Sequence, residues 1–468
     1  MTAQKSSRVL VLTNDVLGQK MAGPAIRTLE MARVLHAANI DVQLVSTQAS
    51  TLEEQNFPVS VAHGTDLEAL VDWADVLVAQ GNTLMDFPWM SERDVIIVAD
   101  IYDPMHLEAM ELGRGHTQEE RMDQVLRSTE SLNLQIERAD FMLCASEKQR
   151  DLWLGHLGAL ARLNVYTYDA DPSLRNLIDI APFGVPENPP VQTRHAIRGT
   201  VPGICADDEV IIWGGGVYNW FDPLTLIHAI AHLRSSRPKL RLYFLGMGHP
   251  NPQVPAMRMA ADAIQLSDEL GLTGTHVFFN SEWVEYEDRV NYLLDADLGV
   301  STHFDHIETA FSFRTRILDY LWTGLPVVAT DGDVFASIIR ENDFGIVVPP
   351  EDPLALSAAL DSALEGKSRD AMSANSRNFA SQLTWEQNLA PLVAFCQEPH
   401  HAADFGDLAV SLRNQKLSAV TAHAESLQER ANHLAAELTA IQSSTSWKLT
   451  RPLRSVLGRL RGGHNSND

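Results

Sequence analysis

The sequence predicts an α/β protein made of two consecutive doubly wound domains, followed by a C-terminal helical tail. Short buried apolar runs alternate with helical periodicity twice along the chain, and a proline-rich segment at residues 182–202 separates the two series. This repeated strand-helix order is typical of parallel sheets with helices on both faces. A chain of 468 residues is also too long for a single hydrophobic core.

The first series begins close to the N-terminus. Helical periodicity covers Ala25–Ala38 and Gln118–Ala139, and a loop with Gly18 and Gly23 precedes the first of these helices. The β-loop-α-β order predicts a parallel sheet. Its strands are predicted at Arg8–Leu12, Val42–Val45, Val76–Ala79, Val95–Ala99, Phe141–Ala145 and Leu177–Ala181.

The second series repeats the alternation after the proline-rich segment. Its strands are predicted at Val210–Trp213, Leu240–Leu245, Val277–Phe279, Leu298–Val300, Pro326–Ala329 and Gly345–Val348. Its helices are predicted at Pro223–Leu233, Arg314–Trp322, Val334–Glu341 and Pro353–Leu364. Such domains bind ligands at the carboxyl ends of their strands, so we expect the site in the cleft between the two domains.

Composition and charge exclude several classes of protein. The chain has 61 Asp+Glu against 36 Lys+Arg, a net charge of −25, which disfavours nucleic acid as a partner. Three distant cysteines, Cys144, Cys205 and Cys396, lack metal-site spacing and are predicted to be buried apolar residues in a reducing compartment. No stretch reaches the roughly 18 apolar residues of a membrane span. We therefore predict a cytoplasmic protein.

The segment Asp305–Ala329 combines the side chains that are most informative about function. It follows a predicted strand, and we expect a helix to begin near Ser312, so that free backbone N–H groups around Phe311 bind an anion. Arg314 and Arg316 add guanidinium groups, which suit a diphosphate. The sequence therefore predicts an anion-binding pocket at this position.

Acidic groups accompany the two arginines. Glu308 lies in the loop before the expected helix, and Asp319 lies toward its far end, where it would accept hydrogen bonds from ribose hydroxyls. A turn at Gly324 leads into the next strand. One arginine alone is explained equally well by a surface ion pair, but the combination of two arginines, two acids and this turn favours a ligand site.

Several segments together resemble family four retaining glycosyltransferases, which have the GT-B fold of two facing Rossmann-like domains. The resemblance covers about residues 8–397. It implies a nucleotide-sugar domain in the second half of the chain and an acceptor-side domain in the first. The segments that carry it are Met21–Arg27, Asp100–Glu108, Ala181–Pro186, Glu308–Val328 and the start of a final helix at Thr384–Trp385.

The resemblance assigns roles to individual residues of the second domain. Glu308 matches an acid close to the transferred sugar, Asp319 matches an acid that binds the ribose, and Arg316 matches a basic residue between them. Their spacing is irregular, because Glu308 and Asp319 are eleven positions apart and the second acid is Asp. We expect backbone groups near Trp283 and Val284 to recognise the base.

The glycine run after the first strand of the second domain is a further departure from the family. Members usually carry an Arg and a Lys there, and this chain has Gly214–Asp222 instead. Gly215 and Gly216 would allow a phosphate to approach the backbone. Arg314 would then supply the missing positive charge.

Residues of the first domain are expected on the acceptor side of the cleft. Gly23 would permit close approach of substrate, with Arg27 one turn further along the helix. Asp103 and His106 follow a strand end, and His106 would orient a sugar or acceptor hydroxyl. A plain turn, a surface arginine and a surface histidine explain these residues equally simply.

His303, Asp305 and His306 offer potential metal ligands close together in the sequence. No complementary ligand cluster stands out, and the fold class normally works without a metal, so we predict no metal and no cofactor. The substrate is a nucleotide-diphosphate sugar. The predicted reaction moves its sugar to an acceptor hydroxyl, with retention implied by the family.

The expected context is assembly of a cell-surface polysaccharide or glycolipid on a carbohydrate or lipid-linked acceptor. Two alternatives stay open. One is a non-catalytic GT-B scaffold acting through its coiled coil, and the other is a nucleotide-sugar epimerase. The domain plan places the acceptor domain at residues 1–187, the nucleotide-sugar domain at 188–375, a helix crossing back at 376–400, a coiled coil at 401–445 and a basic tail at 446–468.

The tail carries two patterns with separate functions. Apolar residues within 410–441 are spaced alternately by three and four, which predicts a coiled coil and a homodimer. Residues 446–461 mix basic and apolar side chains, which predicts peripheral attachment to an anionic membrane surface at its inner face. A helix folded on the protein's own body is the alternative. The seam consists of Leu417, Val420, Ala424, Leu427, Ala431, Leu434, Leu438 and Ile441.

Overall fold

The computed structural model describes residues 6–248, 251, 256–406, 426–428 and 430–450. The chain divides into two compact units, Met1–Ala403 and Asp404–Asp468. The first unit contains two parallel β-sheets, one from each half of the predicted alternation. The fold class predicted from the sequence is therefore confirmed.

The first sheet has seven parallel strands. They are β1 (Arg8–Thr13), β2 (Asp41–Ser46), β3 (Val59–Val61), β4 (Val76–Gln80), β5 (Ile96–Asp100), β6 (Phe141–Cys144) and β7 (Ile178–Ile180). Their order is β3-β2-β1-β4-β5-β6-β7. All six predicted strands are present, and the prediction missed β3, a three-residue edge strand whose side chains are only half-buried or exposed.

The second sheet has six strands. They are β8 (Glu209–Trp213), β9 (Leu240–Phe244), β10 (Val277–Phe279), β11 (Leu298–Ser301), β12 (Val327–Thr330) and β13 (Gly345–Val348). Their order, β10-β9-β8-β11-β12-β13, reverses direction between β8 and β11. Loops that leave adjacent strands on opposite sides open a crevice there, and ligands of doubly wound sheets bind in it.

Helices cover the faces of both sheets. In the first domain they are α1 (Gly23–Ala37), α2 (Gly64–Trp73), α3 (Thr83–Asp86), α4 (Met105–Leu112), α5 (Gln118–Arg138), α6 (Glu147–Ala159) and α7 (Val165–Ala170), with a 3₁₀ turn at Pro88–Glu92. In the second they are α8 (Pro223–Leu233), α9 (Arg258–Glu269), α10 (Arg289–Leu293), α11 (Ile307–Phe311), α12 (Arg316–Thr323), α13 (Val334–Asn342), α14 (Pro353–Ala363) and α15 (Gly366–Ala380). The last two helices of this unit are α16 (Trp385–Asn388) and α17 (Ala390–Gln397).

Local sequence signals explain where several helices begin. Thr117 and Glu120 form a reciprocal capping box at the start of α5. Asp222 caps α8 and Asp352 caps α14, in each case directly before a proline at the first helical position. Because proline has no N–H to donate and aspartate accepts from the next free N–H groups, these two starts are readable from sequence.

A tyrosine brings α12 close to the second sheet at the point where the strand order reverses. Tyr320 lies over Gly299 of β11, where an added Cβ would lie 2.4 Å from its ring. Its hydroxyl accepts a hydrogen bond from the backbone N–H of Gly214 at 2.7 Å. This close packing requires glycine at positions 214 and 299, because a side chain at either would meet the Tyr320 ring. The contact fixes α12 beside the loop after β8.

Helices α16 and α17 pack against the first domain. The ring of Phe395 stacks on Phe141 of β6 at 4.6 Å, and Trp385 lies 5.6 Å from Phe183. Gly184 has no room for a side chain, because a Cβ there would lie 2.5 Å from the backbone nitrogen of Trp385. The end of this unit is thereby tied to the segment that leaves β7.

The cysteines differ from the prediction at one position. Cys144 and Cys396 are buried, whereas Cys205 is exposed. Cys205 lies in the turn before β8, and its backbone N–H donates to Asp208, which holds the residue at the surface. The prediction of buried cysteines is therefore wrong for Cys205.

The described part of the tail is helical at residues 430–443 and at Thr445–Leu449. Leu434, Leu438 and Ile441 of the predicted seam are exposed. Residues 410–425, 429 and 451–461 of the two predicted tail segments lie outside the described residues. Among the helices that are described, none is long and apolar enough to cross a membrane.

Candidate active site

The loops at the carboxyl ends of the two sheets contact each other, so the predicted cleft is present. The indole N–H of Trp283 donates to the carbonyl of Met21 at 3.0 Å, and the backbone N–H of Tyr286 donates to the carbonyl of Gln19 at 2.8 Å. On the other side, Gln149 of the first domain bonds to Phe311 of the second. Residues from both halves of the chain therefore share one site.

Glu308 lies at the centre of a buried network on the second-domain wall. Its carboxylate is fully buried and accepts two hydrogen bonds from Arg314, at 2.9 and 2.8 Å. The hydroxyl of Ser312 also donates to it. The predicted extra positive charge of Arg314 is therefore neutralised by Glu308 through this two-point pairing, while the Arg314 Nε is buried with no hydrogen-bond partner among the described residues.

The helix expected to begin near Ser312 is α12, which begins later, and a separate short helix, α11, precedes Ser312. Helix α11 contains Glu308 and ends at Phe311, and α12 begins only at Arg316. Ser312 is extended and its hydroxyl bonds to the carbonyl and carboxylate of Glu308, which stops α11. The prediction of a helix N-terminus at Phe311 and Ser312 is wrong, and the carbonyl of Phe311 serves as an acceptor instead.

Arg316 is the most unusual charged group of the site. Its guanidinium lies between two aromatic rings, 4.3 Å from the ring centre of Trp213 and 4.0 Å from that of Phe221. Its Nη2 donates to the carbonyl of Gly216 at 2.9 Å, and its Nη1 is buried with no hydrogen-bond partner among the described residues. Burial lowers its pKa to about 10, so it remains a cation at neutral pH.

The glycine run follows β8 at the reversal of strand order, as predicted. Gly215 has a φ of 94°, a conformation that favours glycine. The carbonyl of Gly216 accepts from Arg316 and from the indole of Trp213. The loop that approaches the expected phosphate position is thus held by a buried cation and an aromatic ring.

Asp319 lies in the middle of α12 and forms an ion pair with Arg289 at 3.1 Å. Arg289 stacks 3.8 Å from the ring centre of Tyr286. The position toward the far end of a longer helix was wrong, because α12 begins at Arg316, about one turn after Ser312. The Asp319 side chain stays partly exposed beside this partner, and its ribose role stays a prediction.

The residues expected near the base have structural partners. Trp283 bridges to Met21 through its indole, and its ring lies 3.3 Å from an ideal Cβ at Gly246. Val284 is half-buried against the main apolar core. Recognition of a base by their backbone groups stays a prediction.

Arg27, which was expected on the acceptor side of the cleft, has structural partners in the first domain. Arg27 is fully buried and forms two hydrogen bonds to Asp100, at 2.6 and 2.8 Å. It also donates to the carbonyl of Ala181 and lies between the rings of Tyr102 and Phe183. A buried guanidinium in this position ties α1 to β5, so the prediction of an arginine presented to substrate is wrong.

Gly23 is the first residue of α1 and is half-buried. A Cβ at this position would meet only the Phe183 ring, at 3.9 Å, which is an ordinary contact. Close approach of a ligand is therefore not required to explain this glycine, and its substrate role stays a prediction.

Three acidic residues, Asp103 and Glu108 of the first domain and Glu308 of the second, interact electrostatically where the two domains face each other. Asp103 precedes α4 and Glu108 lies on it, and both are half-buried. Burial and the nearby charges of Glu308 and Asp100 raise the pKa of Asp103 to about 7. Burial, then Asp103 and Glu308, raise the pKa of Glu108 well above its ordinary value. Glu108 was not among the predicted site residues, although it lies only two positions after His106 on α4.

His106 lies on α4 next to this group. It is half-buried, and burial lowers its pKa to about 4, so the imidazole is neutral at physiological pH. Its Nδ1 is buried without a hydrogen-bond partner in the part of the chain that is described. The ring therefore keeps one polar atom without a hydrogen-bond partner in the described residues, and its role in orienting a hydroxyl stays a prediction.

Replacing Asp103 by Asn should stabilise the protein more at pH 8 than at pH 4.5. The folded-state pKa of Asp103 lies above its unfolded value, so its carboxylate costs stability as the pH rises from about 4 through 7. The substitution should raise the free energy of unfolding by about 1–3 kcal/mol more at pH 8 than at pH 4.5. Urea unfolding of both proteins measures it, with Glu119→Gln on the exposed face of α5 as the control. Equal stabilisation at both pH values would contradict the unfavourable interaction of the Asp103 carboxylate with Glu308 and Asp100.

The histidine cluster considered as a metal site has other partners. His303 is fully buried 3.6 Å from Asp333, and His306 caps α11 through Thr309, while Asp305 is exposed. A separate group, Cys205, Asp207 and Asp208, is the one set of potential ligands that converge in the described residues. Its acids pair with Lys239 and Arg241, so neither group argues for a metal in the reaction.

The fold and the site define a class. Two Rossmann-like parallel-sheet domains with a shared cleft at their carboxyl ends have the GT-B fold, as the sequence predicts. Residues 208–366, which form most of the second domain, match the model of the family described as "Glycosyl transferases group 1". The predicted likeness to glycosyltransferases is confirmed for this domain.

Two curated relatives are D-inositol 3-phosphate glycosyltransferases. The protein of Nocardioides sp. is 26% identical over 246 residues, and that of Jonesia denitrificans is 25% identical over 245 residues. Each match covers 50% of this chain, and 51% and 54% of the respective relative. The chain thus spans about half the length of the curated relatives it matches.

Solved structures extend the likeness of the fold to both domains. Sucrose-phosphate synthase from Thermosynechococcus elongatus has a TM-score of 0.59 at 15% identity, covering 83% of this chain and 98% of its own. Anabaena HepE in complex with UDP-glucose has a TM-score of 0.59 at 17% identity, with 83% and 99% covered. WaaG, a glycosyltransferase involved in lipopolysaccharide biosynthesis, has a TM-score of 0.54 at 18% identity, with 84% and 100% covered.

Proposed function

We propose that this protein transfers a glycosyl group from a nucleoside-diphosphate sugar to an acceptor hydroxyl. The observation that carries the proposal is the buried Arg316, which forms no ion pair with a described residue and holds the glycine loop after β8. A buried cation without a counter-ion is costly, and an anionic ligand at the adjacent loop would offset that cost. The match of residues 208–366 to the glycosyl transferase family supports a nucleotide sugar as the ligand class.

The chemistry follows from the charge that develops on the diphosphate as it leaves. Arg316 is protonated at neutral pH, and its positive potential acts on the loop of Gly215 and Gly216, where the phosphates are expected. Fixed positive charge stabilises such a leaving group without reorganisation. No metal or cofactor is included in this proposal, because the charge stabilisation comes from these groups of the chain.

The acceptor is proposed to bind against Asp103, His106 and Glu108 on the opposite wall. Neutral His106 offers an unpartnered Nδ1, and Asp103 titrates near neutral pH, so both suit contact with hydroxyl groups. Glu308 comes from the donor wall, and its network with Arg314 positions it next to these acids. Retention at the anomeric carbon remains part of the proposal by family resemblance.

A screen of nucleotide sugars tests this function directly. A donor that binds should raise the melting temperature. At a concentration a hundredfold above its Kd, it should add about 2.7 kcal/mol to the free energy of unfolding. UDP-glucose is the first donor to test, since Anabaena HepE binds it. Mass spectrometry of the products should then show transfer to an added acceptor, with Arg316→Ala as the matched inactive variant.

The alternatives predict different outcomes of the same screen. Stabilisation by no donor would favour the scaffold, and a changed sugar without any acceptor would favour the epimerase. Stabilisation by a nucleotide sugar together with transfer only in the presence of an acceptor is the expected result.

The cellular role proposed here is assembly of a surface polysaccharide or glycolipid by a cytoplasmic protein that attaches to the inner face of the membrane. The exposed Leu434, Leu438 and Ile441 support a homodimer, because helices present such seams to a second helix. Trp447 and Leu449 are exposed beside Lys448, which supports contact with an anionic surface. Flotation with anionic liposomes and sedimentation, each with and without residues 446–468 or 426–468, distinguish the two functions of the tail.

A further inference from the structure

The side chain of Gln149 forms three hydrogen bonds to backbone groups, and one of them reaches the second domain. Gln149 is fully buried at the first turn of α6. Its Oε1 accepts from the backbone N–H of Ala145 at 2.8 Å, and its Nε2 donates to the carbonyls of Tyr102 and Phe311, both at 2.8 Å. One amide therefore joins the end of β6, the loop after β5 and the end of α11.

These three partners come from both walls of the site. Tyr102 directly precedes Asp103 in the acceptor-side loop, and Phe311 ends the helix that carries Glu308. The carbonyls at a helix end lack partners within the helix, so Gln149 of one domain satisfies an exposed acceptor of the other. Lys148 adds a cation 5.6 Å from the ring centre of Phe311 at the same place.

We propose that Gln149 is a positioning residue that couples the acceptor-side loop to the donor-side helix when the cleft is closed. The inference deepens the proposed function and rests on it. Gln149 holds Asp103 and Glu308 at a fixed separation, because the backbone that precedes one and the helix that carries the other share a single donor group. The group touches backbone carbonyls and acts through the residues that it positions.

The structure offers a variant that separates this function from the folding of α6. Gln149→Glu keeps the size of the side chain and the oxygen that accepts from Ala145. It replaces the amide donor by an oxygen that faces two carbonyl oxygens, which repel it. The control is Ser146→Ala, since Ser146 caps the same helix through the N–H of Gln149 and makes no described side-chain bond to the second domain.

Kinetics and hydrogen exchange test the proposal together. For Gln149→Glu we expect kcat/KM for the acceptor to fall about tenfold or more, with the Kd of the donor unchanged within about twofold. Hydrogen exchange of the amides of Ile307–Phe311 and of residues 101–103 should accelerate in the same variant without substrate. Ser146→Ala should lower the melting temperature and leave both the kinetic ratio and these exchange rates at wild-type values.

The outcomes distinguish this inference from the proposed function. Unchanged exchange and unchanged kcat/KM in a folded Gln149→Glu protein would overturn the coupling while leaving the transfer reaction in place. If the wild-type protein transferred no sugar, the proposed function would fail, and the exchange measurement would still decide whether Gln149 joins the two walls. Equal kinetic losses in Gln149→Glu and Ser146→Ala would show that only the folding of α6 matters.

Discussion

Replacement of Arg316 by Ala is expected to lower kcat by about two orders of magnitude, the usual effect of removing one preorganised charge at a developing anion. The substitution removes the cation between Trp213 and Phe221 and the hydrogen bond to Gly216. Both losses act on the glycine loop where the diphosphate is expected. A hundredfold loss corresponds to about 2.7 kcal/mol of transition-state stabilisation, within the range of a single buried charge at close distance.

Matched variants separate charge from packing at this position. Arg316→Lys keeps the charge and loses the planar group that stacks between the rings, so we expect an intermediate loss. Arg127→Ala removes an exposed arginine of α5 that pairs only with Asp123 and should change kcat less than twofold. Initial rates at saturating donor and circular dichroism of each protein measure activity and folding. A folded Arg316→Ala protein with wild-type kcat would remove Arg316 from the mechanism.

Replacement of Arg27 by Met is expected to lower the free energy of unfolding by about 3–5 kcal/mol, the usual cost of breaking a buried ion pair by removing one partner. The change leaves Asp100 buried without its two hydrogen bonds from the guanidinium. Burial already raises the pKa of Asp100, and Arg27 opposes that shift. Without Arg27 the folded-state pKa rises further, so the destabilisation should be larger at pH 8 than at pH 5.

A double-mutant cycle identifies the pair as the cause. Arg27→Met combined with Asp100→Leu removes both charges and should recover most of the stability, because apolar groups of similar size replace the buried pair. Urea unfolding of the four proteins gives the coupling energy. Full stability of Arg27→Met together with a loss of acceptor affinity would contradict the structural role and restore the predicted contact with substrate.

The elements of the fold were readable from sequence because they depend on local periodicity. Buried parallel strands such as β1 and β12 are continuous apolar runs, and helices such as α8 start at an aspartate followed by proline. The short edge strand β3 was missed because it is barely buried and carries no such run. The short helix α11 was missed, and it ends at Phe311 because the Ser312 hydroxyl bonds to the carbonyl and carboxylate of Glu308, four residues before it.

The region of the site was also predicted, and its contacts were not. Glu308, Arg314, Arg316 and the glycine loop lie near the reversal of strand order in the second sheet, and their roles toward a ligand stay predictions. Arg314 was expected on a phosphate and instead pairs with Glu308, and Arg27 was expected at the acceptor and instead pairs with Asp100. A sequence lists charged groups without saying which of them neutralise each other.

The sequence by itself determined the two doubly wound domains, because apolar periodicity and glycine turns are local properties of the chain. Only the tertiary structure decided which charges remain without an ion-pair partner in the described cleft. Arg316 stays without an ion-pair partner there because the rings of Trp213 and Phe221 and the carbonyl of Gly216 surround its guanidinium in place of a carboxylate. Trp213 lies more than a hundred residues before Arg316 in the chain. Gln149 likewise meets Phe311 only through the folding of both domains against each other.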